Sequence, residues 1–141
     1  MVIEQATQVR KEWSMVCDSV MHDRPKFIMR TRDKMALTSL DTLQDMLSGY
    51  TFTANKYIED DGSVTLSLIE IDLIENGSDE DSAKAKLGNA ILEYANEFYE
   101  EYALYSKSKN RKNHIPYIFK ALIIDNAKLI GDSITCQDGE N

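Results

Sequence analysis

The feature that most constrains the fold is a change of charge and of pattern near Tyr50. Residues 1–56 contain 8 lysines and arginines and 7 acidic residues, whereas residues 57–141 contain 8 and 17. The net charge of −8 therefore comes from the second part of the chain. Since 141 residues suffice for one domain or two small ones, we predict two modules, residues 1–50 and 51–141.

Helical and extended patterns alternate within the first module. Met1–Glu4 is β-branched and apolar, which favours a first strand. Apolar residues then recur at helical spacing over Thr7–Met21, and Trp13 on that stripe is expected in the core or at a dimer interface. Short apolar runs around a charged tip predict a β-hairpin over Lys26–Leu37. A second helix, capped at Thr38, is expected to end near Leu47.

The second module is predicted to be an antiparallel sheet packed by a long helix. Asp60-Asp61-Gly62 is a turn signal between two strands, and Asn76-Gly77 predicts a further turn. The long helix is expected to begin at a Ser78 cap and to reach Tyr105. Two short helices are expected within residues 115–130, followed by a polar tail. These elements predict an α+β fold.

Basic residues are concentrated in the predicted hairpin. Arg24, Lys26, Arg30, Arg32 and Lys34 fall within eleven positions, and Asp33 is the only acid among them. A two-stranded ribbon with such side chains can neutralise nucleic-acid phosphates, and arginine can also form two hydrogen bonds with guanine. The alternative is a hairpin whose charges are simply solvated. One hairpin makes few phosphate contacts, so DNA binding would require a dimer.

The first module carries a family resemblance. After the first strand come a helix with Ala6-Thr7-Gln8-Val9-Arg10 and Trp13-Ser14, a hairpin with Pro-Lys-Phe-Ile-Met-Arg, and a helix with Ala-Leu-Thr-Ser-Leu-Asp-Thr-Leu. In this order the module resembles the N-terminal domain of Phd/YefM-type antitoxins. Members of that family are DNA-binding dimers that repress their own operon, and their C-terminal part wraps a toxin. The resemblance covers about the first 48 residues and implies a β-α-β-β-α module.

The resemblance also implies site residues. The family's helix arginine falls on Arg10, and its hairpin arginine falls on Arg30. Two positions depart from the family pattern: Arg32-Asp33 replaces the usual glycine of the hairpin tip, and Asp41-Thr42-Leu43 replaces a glutamate–tyrosine pair. The candidate DNA-binding residues are Arg10, Lys11, Arg30, Arg32 and Lys34.

The second module has a resemblance of its own. The run from Leu66 through Asn76-Gly77-Ser78-Asp79-Glu80-Asp81-Ser82-Ala83 is similar to HicB-like antitoxin domains, in which strands of a partial ribonuclease-H-like fold lead into a helix. Fold alone implies no ribonuclease activity. Taken together, the two resemblances imply a two-part antitoxin of a RelE/RelB-type toxin–antitoxin pair.

The long helix supplies candidate toxin-binding residues. Its aromatic side chains are too many for one face to bury, and tyrosine combines apolar area with a hydrogen-bonding tip. Its acidic side chains are either a solvated face or a mask for a basic toxin, since a toxin that cleaves RNA on the ribosome must be basic. The candidates are Glu93, Glu97, Tyr99, Glu100, Glu101 and Tyr105.

Other site chemistries find little support in the sequence. Cys17 and Cys136 share no motif spacing with each other or with His22 and His114, which suits a reducing cytoplasm and predicts no metal site. We find no nucleophile motif and no glycine-rich phosphate loop, so no cofactor and no enzymatic activity are expected. No signal peptide and no membrane span are expected either.

Three functional hypotheses follow. The first is an antitoxin that binds a cognate RelE-type, RNA-cleaving toxin directly and binds operator DNA as a dimer to repress its own operon. The second is a homodimeric ligand- or protein-binding module without DNA binding. A small enzyme is the third, and it would need a cluster of convergent polar side chains that the sequence does not announce.

Overall fold

The computed structural model describes residues 1–140 as an α+β protein with two mixed sheets and, in this range, seven α-helices. The chain divides into two compact units, Met1–Met46 and a second unit that begins at Leu47. The division lies slightly before the one predicted after Tyr50. No helix of the described residues is long and apolar enough to cross a membrane.

The first unit contains a three-stranded sheet in the order β1-β2-β3. Strand β1 (Ile3–Gln5) is parallel to β2 (Lys26–Arg30), and β2 forms the predicted hairpin with β3 (Asp33–Leu37). At the hairpin tip Thr31 has a φ of 57°. A two-residue hairpin turn usually has glycine at a position with positive φ, so this turn is built without the residue that fits it best.

Three helices complete the first unit: α1 (Ala6–Lys11), α2 (Trp13–His22) and α3 (Leu40–Met46). The predicted first helix is thus interrupted at Glu12. The apolar stripe packs as predicted, because Val9, Val16 and Val20 of the helices form a buried cluster with Ile28 of β2.

For the first unit, one local prediction is wrong and one of two alternatives is excluded. Trp13, expected in the core or at a dimer interface, is 53% exposed and outside the buried cluster, which excludes the core, while the dimer interface stays a prediction. The cap of α3 is Ser39 rather than Thr38, because the Ser39 hydroxyl accepts a hydrogen bond from the backbone N–H of Thr42 at 3.1 Å. The hydroxyl that lies three residues before that N–H is the one that can reach it.

The second unit contains a four-stranded sheet in the order β6-β5-β4-β7. Strands β4 (Thr53–Ile58), β5 (Val64–Leu68) and β6 (Ile74–Gly77) are antiparallel, and the predicted turn at Asp60-Asp61-Gly62 joins β4 to β5. Strand β7 (Thr135–Asp138) lies parallel to β4. The sheet is therefore mixed, not antiparallel, and the polar tail expected over residues 136–141 is a strand as far as Asp138, while Asn141 lies outside the described residues. Asn76-Gly77 belongs to β6, so the turn predicted there is wrong.

Four helices belong to the second unit: α4 (Glu80–Glu100), α5 (Tyr102–Tyr105), α6 (Ile115–Ile124) and α7 (Ala127–Asp132). The long predicted helix is α4 followed by α5, with a break at Glu101, and its cap is Asp79 rather than Ser78. The two predicted short helices are α6 and α7. One face of α4, which includes Leu87, Ile91 and Phe98, is fully buried against the sheet and these helices.

Helices α4 and α7 cross at close range through two glycines. A Cβ on Gly88 would lie 2.3 Å from the carbonyl oxygen of Ala127, and one on Gly131 would lie 2.7 Å from that of Lys84. Neither neighbour is a flexible side chain, so the backbone itself would have to move. The crossing therefore fixes α7, and with it the start of β7, on α4.

Candidate functional sites

The five candidate DNA-binding residues are all exposed on the first unit. None forms an ion pair within the part of the chain that the structure describes. By contrast, Lys26 is paired with Glu4 at 3.0 Å, and Arg24 lies 3.7 Å from Asp23. The charge of Lys26 is therefore used in an ion pair within the unit, while the charges of the five candidates are available to a ligand.

The hairpin register divides these cations between two faces of the sheet. Residues that face each other across strands share a face, and neighbours along a strand alternate. Arg30 pairs with Asp33, whereas Lys34 pairs with Met29. Arg30 therefore projects on the side of the buried Ile28, where the helices pack, and Lys34 projects on the other side.

Arg10 lies on the same side of the sheet as Arg30. It borders a depression of about 530 Å³ that is otherwise apolar. The other lining residues are Ala6, Val9, Trp13, Ile28 and Met35. Strand β1 ends opposite Met29, so α1 begins beside the end of β2 that carries Arg30. Arg10 and Arg30 thus share one side, Arg32 lies in the turn, and Lys34 is separated from them.

The candidate toxin-binding acids form a stripe on α4. Glu93, Glu97 and Glu100 are separated by four and three residues, which places them on one side of a helix. All three are exposed, and the buried face of the helix lies opposite. We call these three residues the acidic stripe. The second unit as a whole has 9 basic and 17 acidic residues, so its formal charge is −8.

The remaining candidates differ in environment. Tyr99 is 61% exposed but lies off the acidic stripe, because two residues on from Glu97 correspond to about 200° of helix rotation. Glu101 is exposed at the break between α4 and α5. Tyr105 is half-buried: its ring packs 5.4 Å from that of Phe98, and its hydroxyl donates a hydrogen bond to Glu97 Oε1 at 2.9 Å.

A cluster of side chains that the sequence did not predict lies beside the acidic stripe. The Tyr94 hydroxyl and His114 Nδ1 are hydrogen-bonded at 2.8 Å. His114 is only 8% exposed, and burial lowers its pKa, so it is neutral at physiological pH. Burial also raises the pKa of Tyr94, which keeps the phenol protonated. The guanidinium of Arg111 lies 4.1 Å from the ring centre of Tyr105.

Tyr94, Arg111 and His114 of this cluster line a cleft of about 430 Å³, which we call the Tyr94 cleft. It is lined by Ile71, Asp72, Leu73, Tyr94, Glu97, Asn110, Arg111 and His114. Sequence reasoning missed it because the partners come from α4, from the loop before β6 and from residues 110–114 between α5 and α6. No short spacing links them, and an isolated histidine carries no signal by itself.

Metal and thiol chemistry have little basis in the described residues. Residues 1–140 contain no group of three or more histidine, cysteine or carboxylate side chains that could hold a metal ion. Cys17 and Cys136 are both free thiols and both partly buried. Burial raises the pKa of the Cys136 thiol, which disfavours the reactive thiolate.

Comparison with known proteins identifies similar chains. A family model described as PHD-like, "antitoxin of toxin-antitoxin, RelE / RelB, TA system", matches residues 1–135. A solved structure of the antitoxin part of a proposed toxin/antitoxin system from Syntrophomonas wolfei subsp. wolfei is 29% identical in sequence and superposes with a TM-score of 0.92. That match covers 99% of this chain and 100% of the other. No curated protein matches the sequence.

Proposed function

Since the chain belongs to the PHD-like family of antitoxins of RelE/RelB toxin–antitoxin systems, we propose that it neutralises a basic, RNA-cleaving toxin and represses its own operon. As an antitoxin it is a non-enzymatic regulatory protein. The proposal assigns toxin binding to the second unit and operator binding to a dimer of the first, and it places both activities in the cytoplasm.

The acidic stripe is the observation that best supports toxin binding by the second unit. Its three carboxylates are exposed, and no described lysine or arginine forms an ion pair with them. A basic partner would displace the water that surrounds these carboxylates and would offset the formal charge of −8 on the unit. Charge complementarity of this kind speeds association and rejects partners of the wrong sign. The resemblance of this unit to HicB-like antitoxin domains is in agreement.

Co-expression with the product of the adjacent gene tests this assignment. We expect the two proteins to co-purify, and the ribonuclease activity of the partner to be absent from the complex. A variant with Glu93, Glu97 and Glu100 all changed to glutamine should bind at least about tenfold more weakly at low salt, chiefly through slower association. The matched control changes Glu59, Asp60 and Glu75 to their amides, which removes equal charge elsewhere on the unit.

The unpaired cations of the first unit support operator binding. Arg10 and Arg30 project on one side of the sheet, as a pair that could lie along a DNA groove. The family resemblance of the module, a Phd/YefM-like DNA-binding domain, assigns the same two positions to DNA. A single unit offers few phosphate contacts, so useful affinity needs two copies on two half-sites.

Exposed apolar side chains support such a dimer. Trp13 and Met35 are about half exposed at the depression beside Arg10, and Phe27 is 44% exposed on the opposite face of the sheet. Apolar area of this kind on a unit of fewer than fifty residues favours burial against a second copy. Sedimentation of the full chain should give a dimer, and Trp13→Ala should shift it toward the monomer.

The alternative function is a homodimeric binding module without a DNA role. The Tyr94 cleft, with its convergent polar side chains, is the observation that favours it. Salt dependence separates the two. Operator binding through phosphates predicts that log K falls linearly with log salt concentration, with a slope of about −0.9 per neutralised phosphate. A module without DNA binding predicts no affinity for its own upstream DNA at any salt concentration.

A further inference from the structure

The Tyr94 cleft combines charges and free hydrogen-bonding groups in a way that fits one kind of partner side chain. We propose that it is a pocket for a single arginine of the toxin. This inference rests on the proposed function, because it deepens the toxin-binding role of the second unit. It adds to the acidic stripe a specific site that recognises one residue.

Charge balance points to one incoming cation. Three charged side chains line the cleft: Asp72, Glu97 and Arg111. Their sum is −1, since His114 in the same wall is neutral. One guanidinium would bring the cleft to neutrality, and a partner carboxylate would raise its negative charge. Glu97 also belongs to the acidic stripe, so the pocket is continuous with the surface proposed to meet a basic toxin.

One ring nitrogen of His114, a residue that lines the cleft, has no hydrogen-bond partner within the described residues. His114 is more than nine-tenths buried, and its Nδ1 is satisfied by Tyr94, while within residues 1–140 no hydrogen bond reaches its Nε2. No fully buried side-chain nitrogen or oxygen of the described chain lacks a partner. Nε2 therefore retains some solvent access, and His114 lines the cleft. The proposal requires the tautomer in which Nδ1–H donates to the Tyr94 hydroxyl oxygen, since Nε2 then has a lone pair that accepts an incoming N–H.

Arg111, which lines the cleft, packs on an aromatic ring beside it. Arg111 lies over Tyr105 with its central carbon 4.1 Å from the ring centre, and that carbon is 5.9 Å from the ring centre of Tyr94. No carboxylate lies within ion-pair distance of Arg111 among the described residues. This contact shows that a guanidinium of the chain itself packs on the face of Tyr105, beside the cleft. We expect arginine to fit better than lysine because its planar fork presents several N–H donors, which suits a cleft lined by both a carboxylate and a ring nitrogen.

The proposal can be tested without the toxin. The full-length protein would be titrated with N-acetyl-argininamide, which carries the guanidinium and no carboxylate, while the ring signals of His114 are followed by NMR. N-acetyl-citrullinamide, which has the same shape without the charge, is the first control, and N-acetyl-lysinamide is the second. We expect saturable shifts of the His114 signals with the arginine probe, weaker binding of the lysine probe, and none with citrulline.

A pair of variants separates a pocket from general attraction. Asp72→Asn removes one charge at the cleft, and Glu59→Gln removes one exposed charge outside both the cleft and the acidic stripe. We expect Asp72→Asn to weaken the arginine probe by about tenfold, the loss of one charge-assisted hydrogen bond, and Glu59→Gln to change it by less than about twofold. Equal effects of the two variants, or a linear shift without saturation, would overturn the proposal.

A binding experiment with the toxin distinguishes failure of the pocket from failure of the proposed function. If a basic partner binds the unchanged protein and Asp72→Asn binds it no more weakly than Glu59→Gln, the pocket is wrong and the antitoxin function stands. If the arginine probe binds as expected and no basic partner is captured, the pocket stands as a guanidinium site and the toxin-binding role is wrong.

Discussion

Arg30 and Lys34 project from opposite faces of one hairpin, because Lys34 pairs with Met29 and Arg30 pairs with Asp33. The basic residues that are close together in the sequence of the hairpin therefore do not form a single surface. The face that carries Arg30 also carries Arg10 and the apolar depression, and the other face carries Lys34 beside Phe27 and Met29. A rigid duplex cannot lie against both faces of the same sheet, so the two sides should contribute unequally to DNA binding.

The first prediction follows from this division. Changing both Arg10 and Arg30 to alanine should abolish operator binding at moderate salt and flatten the dependence of log K on log salt by about 0.9 for each phosphate that the variant no longer neutralises. Lys34→Ala should have a clearly smaller effect. Fluorescence anisotropy with the upstream DNA measures both. The matched control is Arg24→Ala, an exposed cation near Asp23. A Lys34→Ala effect as large as that of Arg30→Ala would contradict the assignment.

The hairpin tip yields a stability prediction. Thr31 is a β-branched residue held at a φ of 57°, a conformation that such residues rarely adopt. Thr31→Gly should raise the free energy of unfolding of the full chain by about 1 kcal/mol, because glycine enters this region without strain. Urea unfolding followed by circular dichroism gives the value. Destabilisation by the glycine would mean that the threonine side chain contributes more than its backbone strain costs.

The close crossing of α4 and α7 yields a second stability prediction, in which the substitution destabilises the protein. Gly88→Ala would place a Cβ 2.3 Å from the carbonyl oxygen of Ala127, so we expect a decrease of about 2–4 kcal/mol in the free energy of unfolding. Gly49→Ala is the matched control, since nothing lies within 4 Å of a Cβ there, and its effect should stay within about 1 kcal/mol. Similar values for both variants would indicate that α4 and α7 do not cross at close range.

His114 should make stability depend on pH. Burial lowers its pKa in the folded protein, while the unfolded chain keeps a value of about 6.5. Just below pH 6.5 the unfolded state therefore binds more protons than the folded state. The stability of the folded protein that depends on a neutral His114 is lost as the pH falls through that value. The free energy of unfolding should decrease between about pH 6.5 and 5.5. His114→Asn should reduce that slope, and an unchanged slope in this variant would contradict the buried, neutral histidine.

Much of the first unit was predictable because its signals are local. The hairpin over Lys26–Leu37 and the stripe of Val9, Val16 and Val20 rest on alternation and helical spacing, which are written within short windows. The exposure of Trp13 was not predictable in this way. A position on an apolar stripe specifies the direction of a side chain, and only the tertiary structure decides whether anything covers it.

The second unit shows where local signals end. The start of α4 near residue 80 and the break between α6 and α7 were readable from turn and capping residues. Strand β7 was not, because Thr135–Asp138 is polar and becomes a strand only by pairing with β4, some eighty positions earlier in the chain. The Tyr94 cleft was missed for the same reason. Tyr94, Arg111 and His114 meet through tertiary packing and share no motif.

The measurement that tests the central claim most directly is capture of the partner from the native host with the tagged, full-length protein, followed by identification of the bound protein by mass. The unchanged chain and the variant with Glu93, Glu97 and Glu100 changed to glutamine would be compared at the same salt concentration. We predict that the unchanged chain retains a small basic protein encoded next to it, and that the variant retains much less. Recovery of the protein alone, or equal recovery of a basic partner by both chains, would contradict neutralisation through the acidic stripe.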